Sequence, residues 1–312
     1  MEKMIVSPTS PYTHDQLMRD VYALCATYPG LVSSEDVGYS VEGRALPLLR
    51  LGMGPAALLC CGAHHAREYI TSAYLMYTVN TYARAAAANR RLGGFDIAKL
   101  LRDCSLYVMP MVNPDGTALA QGGLKAVQHP ERVKEMMLVR SSYCEWKANV
   151  NGIDLNRHYP ALWEKRYMPV SSPASELYSG SEPGTEPEVK AVMDVCRRRA
   201  FRAALSFHAK GGAIGYADVA TAENTPGASD MARRLAAVSG YALLPVGDNP
   251  GIFAGSFETW FRGTFHRPAL FIRIAPAAGG MMPLNERDFF QLVWKKARLL
   301  CAAALAEICR QG

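Results

Sequence analysis

The stretch Ala56-Ala57-Leu58-Leu59-Cys60-Cys61 is followed directly by Gly62-Ala63-His64-His65-Ala66-Arg67-Glu68. The first six residues are all apolar and end at a glycine, which is typical of a fully buried strand. His65 and Glu68 stand three residues apart just past this strand. Two histidines and one carboxylate are a ligand set that leaves a zinc ion one open position. The stretch therefore predicts a buried strand that ends at a zinc site, provided that a second histidine arrives from elsewhere.

A second histidine follows another predicted strand. His208 closes the apolar segment 201–208, shortly before Gly211-Gly212. Functional sites in open α/β sheets gather at the carboxyl ends of the strands, so we expect His208 to lie close to His65 and Glu68. A single histidine is more often a hydrogen-bonded structural residue than a ligand. Here three ligand-type residues lie at two strand ends, and each is beside small residues that leave room for access. This arrangement favours a metal site over a structural histidine.

Strand-like and helix-like segments alternate along the 312 residues, which predicts an α/β fold with helices on both faces of one sheet. No internal repeat or linker divides the chain, so we expect a single domain over residues 1–312. Asn113-Pro114-Asp115-Gly116 predicts a turn, and residues 122–181 predict long loops. Helices are predicted at 14–28, 68–90, 187–198, 226–240, 257–262 and 284–309, and strands at 37–41, 45–51, 56–61, 106–111, 201–208 and 269–275.

The composition argues against several classes of partner. The formal net charge is only +6, and the one tight basic run, Arg197-Arg198-Arg199, ends a predicted helix, so no nucleic-acid partner is expected. No apolar run approaches about 18 residues and no signal peptide is visible, so we expect no membrane partner and a cytoplasmic location. The eight cysteines form no CxxC pair, so we expect free buried thiols in a reducing compartment.

Polar residues in the predicted loop region could bind a carboxylate. Asn156 and Arg157 end the segment Gly152-Ile153-Asp154-Leu155-Asn156-Arg157. The planar fork of an arginine matches a carboxylate, and an adjacent asparagine can add a donor. Without further context, a loop asparagine and a surface arginine explain the pair equally well. Lys147 could supply positive charge near a developing oxyanion, although a lone lysine is usually solvated.

These segments resemble the zinc metallocarboxypeptidase family, which includes the pancreatic carboxypeptidases. The resemblance runs from about Tyr12 to the C-terminal helix, and it is strongest to the bacterial branch of γ-D-glutamyl-diamino-acid endopeptidases, which trim cell-wall peptides. The matching segments occur in the family's order. They are Gly38-Tyr39-Ser40-Val41-Glu42-Gly43-Arg44, residues 63–71, Val112-Asn113-Pro114-Asp115-Gly116, Trp146-Lys147-Ala148-Asn149, residues 152–157 and Phe207-His208.

The resemblance implies a mixed, roughly eight-stranded sheet between helices and a peptide or muropeptide substrate with a free carboxylate. It also implies one bound Zn²⁺ ion. Lys147 falls at the position where the family has a cation, usually arginine, that polarises the scissile carbonyl. In the cell-wall branch, lysine is ordinary at this position. The remaining implied roles are zinc ligation by His65, Glu68 and His208, and substrate-carboxylate binding by Asn156 and Arg157 with Arg67 assisting.

The predicted strand 269–275 departs from the family pattern at Arg273. The family places its catalytic glutamate on this strand, at the position where this chain has Arg273. No acidic residue occurs between Glu258 and Glu286. An arginine cannot be deprotonated in a protein, so it cannot act as a base. A unit charge about 5 Å from a divalent ion, at an effective dielectric near 20, would also repel it by roughly 6 to 7 kcal/mol before screening.

Two hypotheses follow, with a third of less weight. The first is a zinc peptidase whose hydrolysis is weakened by the loss of the base. The second is a non-catalytic protein that binds peptide carboxylates, because Arg273 adds a cation to the pocket. The third is an amidohydrolase or deacylase on a related zinc fold. Glu258 could meet an amino-bearing substrate side chain, as in diaminopimelate, although an ordinary charge capping a short helix is the commoner explanation.

Overall fold

The computed structural model describes residues 4–8, 11–137, 142–168, 170–275 and 286–310. Its centre is an eight-stranded sheet in the order β1-β2-β6-β3-β7-β10-β8-β9. The strands of this sheet are β1 (Val32–Tyr39), β2 (Ala45–Leu51), β3 (Ala56–Cys61), β6 (Cys104–Met109), β7 (Phe201–Lys210), β8 (Ala213–Gly215), β9 (Ala242–Leu243) and β10 (Ala269–Ala275), and a separate pair consists of β4 (Arg91–Leu92) and β5 (Phe95–Asp96).

The sheet is parallel at its centre and partly antiparallel towards its edges. The strands β6, β3, β7 and β10 run parallel to one another. The strands β1, β2 and β8 join it by antiparallel pairing, and β9 lies parallel to β8. The predicted mixed α/β sheet of about eight strands is confirmed.

Helices cover both faces of the sheet. They are α1 (His14–Thr27), α2 (Ile70–Ala87), α3 (Ile97–Asp103), α4 (Pro114–Gly122), α5 (Pro130–Glu135), α6 (Pro187–Arg198), α7 (Ala228–Ser239), α8 (Pro250–Phe253), α9 (Phe257–Phe265), α10 (Glu286–Asp288), α11 (Lys295–Ala297) and α12 (Leu300–Arg310). The predicted closing helix is confirmed from Glu286 onward, although a π-helical turn, Phe289–Trp294, interrupts it. Residues 284 and 285 lie outside the described residues.

Alternation along β3 divides the core into two parts. Leu58 and Cys60 point into the core that α1, α2, α7 and α12 cover. Leu59 and Cys61 point into the core that α6 and α9 cover. Because both faces of a central parallel strand are buried, all six residues of β3 are apolar.

The predicted turn at Asn113 is wrong, because this segment begins a helix. Proline is favoured at the first helical position, and Pro114 occupies it in α4. The Asn113 side chain caps the helix by accepting a hydrogen bond from the Gly116 backbone N–H at 3.0 Å. The Asp115 carboxylate then binds Arg44 at 2.6 Å and Ser40 at 2.7 Å, which joins two of the segments that carry the family resemblance.

The expectation of free thiols is wrong for two of the eight cysteines. Cys104 on β6 and Cys309 on α12 form a disulfide, with their Cα atoms 6.5 Å apart. The sequence does not predict this pair because 205 positions separate the two residues. Every helix in the described part of the chain falls short of what a bilayer crossing requires. The cytoplasmic location stays a prediction.

Glu188, in the first turn of α6, is fully buried. Its carboxylate accepts hydrogen bonds from the Val41 backbone N–H at 3.3 Å and from the Asn149 amide at 3.4 Å. Burial raises the pKa of Glu188 to about 8, and nearby Glu186 and Asp115 act in the same direction. Between the ordinary pKa and this raised value, the unfolded chain ionises Glu188 and the folded chain does not. Folding stability therefore falls as the pH rises through that window.

We expect Glu188→Gln to remove this pH dependence, since glutamine keeps an acceptor and never ionises. The free energy of unfolding of the variant, relative to the native protein, should rise by about 2 to 3 kcal/mol between pH 5 and pH 7.5. Urea denaturation at the two pH values measures the difference. Parallel changes in both proteins would contradict the assignment.

Candidate metal centre

Three ligand-type side chains meet at the carboxyl ends of β3 and β7. The two strands are parallel neighbours with Cys61 beside Ser206, so their carboxyl ends lie together. His65 and Glu68 come from the turn after β3, where Ala66–Glu68 forms a 3-10 helix, and His208 comes from β7. Their ligand atoms lie within 4.8 Å of one another, and all three residues are buried.

The distances between these atoms fit a single zinc ion. The Nδ1 atom of His65 lies 3.0 Å from Glu68 Oε1, and the Nδ1 atom of His208 lies 2.9 Å from Glu68 Oε2. The two Nδ1 atoms are 3.2 Å apart. Ligand atoms bound tetrahedrally to zinc are about 3.3 Å from one another, so shifts of a few tenths of an ångström would complete the geometry.

The charges at the cluster suit a divalent cation. Burial alone would raise the pKa of Glu68, but the imidazoles of His65 and His208 hold this pKa well below its usual value. Burial would likewise lower the pKa of His208, whereas Glu68 and Glu258 raise it to about 9. The two carboxylates thus attract positive charge to this position, and a zinc ion bound there would displace the proton from His208.

Each of the two histidines also faces a second carboxylate with its outer nitrogen. The Nε2 atom of His65 lies 3.4 Å from Asp154 Oδ1. The Nε2 atom of His208 lies 3.5 Å from Glu258 Oε1 and 3.1 Å from the Ser206 hydroxyl. Metal-binding histidines commonly donate their other N–H to a carboxylate, which fixes the tautomer and the ring orientation.

Asp154 links the candidate metal ligands to the basic residues. Its fully buried Oδ2 atom lies 2.7 Å from Lys147 Nζ and 3.7 Å from Arg157 Nε. Burial would raise the pKa of Asp154, but Lys147, His65 and Arg157 hold it well below its usual value. Asp154 was not among the predicted site residues, although its position two residues before Asn156 in the matched segment was an available signal.

A cavity of about 310 Å³ opens beside the cluster. His65 borders it, and the predicted residues Lys147, Asn156 and Arg157 line it. The rest of the wall is Gly215, Ala217, Leu244, Pro245, Ile252, Phe253, Ser256, Glu258, Arg262, Phe271 and Arg273. The cavity therefore joins a polar, largely cationic region to an apolar wall, as ligand pockets commonly do.

Glu258 faces this cavity instead of capping its helix. Ser256 is the cap of α9, because its hydroxyl accepts a hydrogen bond from the Thr259 backbone N–H at 3.2 Å. Glu258 is only 4% exposed, and its Oε2 atom accepts a hydrogen bond from the Asn156 amide at 3.3 Å. Burial would raise the pKa of Glu258, but the nearby His208 imidazole, with help from Ser206, lowers it to about 2.

The loop before α9 is held tightly against Arg157. Gly255 has a φ of +75°, and a Cβ atom at this position would lie 2.2 Å from the Arg157 carbonyl oxygen. Glycine alone fits such an approach and reaches this φ without strain.

Arg273 lies on the wall of the same cavity. It pairs with His208 in the parallel register of β10 and β7. The side chain is exposed, and its guanidinium lies 5.0 Å from the centre of the Phe271 ring. Among the residues that the structure describes, no carboxylate forms an ion pair with it. Within the described residues, the positive charge of Arg273 is therefore available to whatever occupies the cavity.

Arg67 and His64 lie outside the cavity. The guanidinium of Arg67 donates to the Glu145 carbonyl oxygen at 2.8 Å and lies 3.5 Å from a Glu176 carboxylate oxygen. The assisting role of Arg67 stays a prediction. The fully buried His64 pairs with the Tyr159 hydroxyl at 3.0 Å, and burial lowers its pKa to about 3.

Comparison with known proteins gives matches over nearly the whole chain. The model of the zinc carboxypeptidase family matches residues 17–281. γ-D-Glutamyl-L-diamino acid endopeptidase 1 of Lysinibacillus sphaericus is 29% identical over 291 residues, which cover 91% of this chain and 70% of that protein.

Two solved structures share the fold. Thrombin-activatable fibrinolysis inhibitor superimposes with a TM-score of 0.74 at 20% identity, over 98% of this chain and 77% of that chain. The murein-tripeptide amidase of Escherichia coli O157 superimposes with a TM-score of 0.53 at 21% identity, over 92% of this chain and 95% of that chain. At these identities, both likenesses concern the fold alone.

We expect zinc to stabilise the metal-free protein through His208. A ligand that binds only the folded state at 100 times its Kd adds about 2.7 kcal/mol of stability, which raises the Tm. His208→Ala should lose this increase, whereas His129→Ala, a change at an exposed histidine, should keep it. Differential scanning fluorimetry with and without zinc measures the effect. Equal increases in both variants would exclude His208 as a ligand.

Proposed function

The chain belongs to the zinc carboxypeptidase family, and we propose that it is a zinc-dependent peptidase acting on amide bonds next to a free carboxylate. The observation that carries this proposal is the cluster of His65, Glu68 and His208 beside a cavity that Asn156 and Arg157 line. The similarity to a γ-D-glutamyl-L-diamino acid endopeptidase supports muropeptides as well as peptides as substrates.

Substrate binding begins with the carboxylate. Arg157 supplies a planar pair of donors, and the Asn156 side chain is held in place because its Oδ1 atom accepts a hydrogen bond from the Phe257 backbone N–H at 2.9 Å. The apolar residues Leu244, Ile252 and Phe253 line the same cavity and can cover the substrate side chain. Binding a carboxylate at one end fixes the distance from the scissile amide to the histidines, which lowers the entropic part of the barrier.

Zinc held by His65, Glu68 and His208 would supply Lewis-acid chemistry at the scissile carbonyl. Lys147 lines the same cavity. Its ammonium group can stabilise the negative charge that develops on the carbonyl oxygen. Its ion pair with Asp154 holds the ammonium in place and also removes part of its charge.

Hydrolysis should nevertheless be weak, because β10 offers no base. Arg273 stands beside His208 where the family has a glutamate, and it cannot accept a proton. A general base contributes about 10² to 10⁴-fold to a rate, so this loss leaves a residual activity at best.

We expect Arg273→Glu to raise turnover of γ-D-glutamyl-diaminopimelate peptides or simple C-terminal peptides by about 10²-fold or more. The change restores a carboxylate next to His208 and removes a charge that repels a divalent ion. Single-turnover assays with zinc-loaded protein measure it. Arg233→Glu, at an exposed position of α7, is the matched charge reversal and should leave the rate unchanged.

The two hypotheses predict different results in this assay. Weak turnover by the native chain, increased in Arg273→Glu, supports a weakened peptidase. Full native activity that Arg273→Glu does not raise would contradict the role assigned to Arg273. No native turnover together with recovery in the variant would favour the second candidate function.

That second candidate is a non-catalytic protein that binds peptide carboxylates. The specific observation in its favour is that the Arg273 side chain lines the cavity without a carboxylate partner among the described residues. Arg157 and Lys147 line the same cavity. Several cations in one concave site raise the local concentration of anions and strengthen their binding.

For this candidate, peptides with a free C-terminal carboxylate should bind more tightly than their amides. A hydrogen bond to a charged group contributes about 1.5 to 3 kcal/mol, which corresponds to roughly 10-fold to 100-fold in Kd. Isothermal titration calorimetry with matched peptide pairs measures the ratio. Equal affinities would eliminate a pocket that recognises carboxylates.

A further inference from the structure

Glu258 stands between the candidate metal centre and the candidate carboxylate site. It is buried, and its two oxygens face different partners: Oε1 faces the outer nitrogen of His208 and Oε2 accepts from the Asn156 amide. We propose that Glu258 is a positioning residue that orients His208 towards the metal ion and Asn156 towards the substrate carboxylate. This inference rests on the proposed function, because it assumes that His208 binds zinc.

His65 and His208 have matching surroundings. Both turn Nδ1 inward to Glu68, and both turn Nε2 outward to a buried carboxylate, Asp154 at 3.4 Å and Glu258 at 3.5 Å. Asp154 Oδ1 and Glu258 Oε1 are also buried carboxylate oxygens that have no hydrogen-bond partner among the described residues. Each is therefore available to accept a hydrogen bond from the ring that it faces.

Metal binding would fix the tautomer of His208. A histidine that binds a metal through Nδ1 carries its proton on Nε2, and this N–H needs an acceptor in a buried site. Glu258 and the Ser206 hydroxyl are the groups beside this nitrogen in the described part of the chain. An anionic acceptor also makes the imidazole a stronger ligand.

Only a carboxylate at position 258 satisfies both neighbouring side chains. His208 Nε2–H and the Asn156 amide are both donors, so the residue between them must offer two acceptor oxygens. Glutamine has the same shape as glutamate but offers one acceptor and one donor. Glu258→Gln must therefore lose one of the two contacts, even if the fold is unchanged.

The test measures zinc affinity directly. Competition of zinc-loaded protein with a chromophoric chelator gives Kd for the native chain, Glu258→Gln and a control, Glu307→Gln. Glu307 is a buried acid on α12 that pairs with Arg234 and belongs neither to the cluster nor to the residues lining the cavity. We expect Glu258→Gln to weaken zinc binding by about 10-fold to 100-fold, as changes of the outer partners of metal ligands commonly do. The control should bind zinc as the native chain does.

A spectroscopic measurement separates positioning from a general loss of stability. In Co²⁺-loaded protein, each histidine bound through Nδ1 gives one exchangeable, paramagnetically shifted Nε2–H signal. Glu258→Gln should shift one of the two signals and accelerate its exchange, while Glu307→Gln should leave both in place.

The possible outcomes separate this inference from the proposed function. A native chain without a zinc site would overturn both. Unchanged zinc affinity and N–H signals in Glu258→Gln, with native zinc binding intact, would overturn the positioning role alone. That role also fails if the variant keeps its zinc but loses preference for amino-bearing substrates, because Glu258 would then contact the substrate. Equal weakening in Glu258→Gln and Glu307→Gln would reduce the effect to general destabilisation and reject the proposal.

Discussion

The parallel pairing of β3 with β7 is the constraint on which the site depends. It brings His208 within 2.9 Å of Glu68, although 140 positions separate the two residues. A slip of one residue between the strands would turn His208 to the opposite face of the sheet. The register is secured because both strands are central and bury apolar side chains on both faces. The same pairing, continued into β10, places Arg273 beside His208.

Charges alternate outward from the cluster. Glu68 lies between the two imidazoles, Asp154 and Glu258 lie behind them, and cations lie behind Asp154. Buried charges are stable only when paired, so each carboxylate depends on its neighbours. Arg273 departs from this order, because its guanidinium lies on an aromatic ring in place of a carboxylate. The buried carboxylates of the site are thus paired, whereas the guanidinium of Arg273 lies at the exposed wall of the cavity.

Local patterns in the sequence were enough to predict much of the fold. The bounds of β3, α6 and β10 match the prediction because apolar runs and proline or glycine mark their ends. The prediction failed at Asn113, whose turn-like neighbours also suit the start of a helix. The Cys104–Cys309 disulfide and the contacts of Asp154 and Glu258 were not predicted, since they join segments far apart in the chain. Spacing alone carries no information about such contacts.

Gly255 restricts which sequence changes the segments beside the cavity can accept. Any side chain at position 255 would overlap the Arg157 carbonyl. A substitution that moves the segment carrying Arg157 would therefore also move the segment carrying Glu258. New ligand preferences would then have to arise through substitutions on the exposed part of the cavity wall. Ile252, which is 54% exposed and lines the cavity, is a position where substitutions could accumulate without disturbing the buried carboxylates.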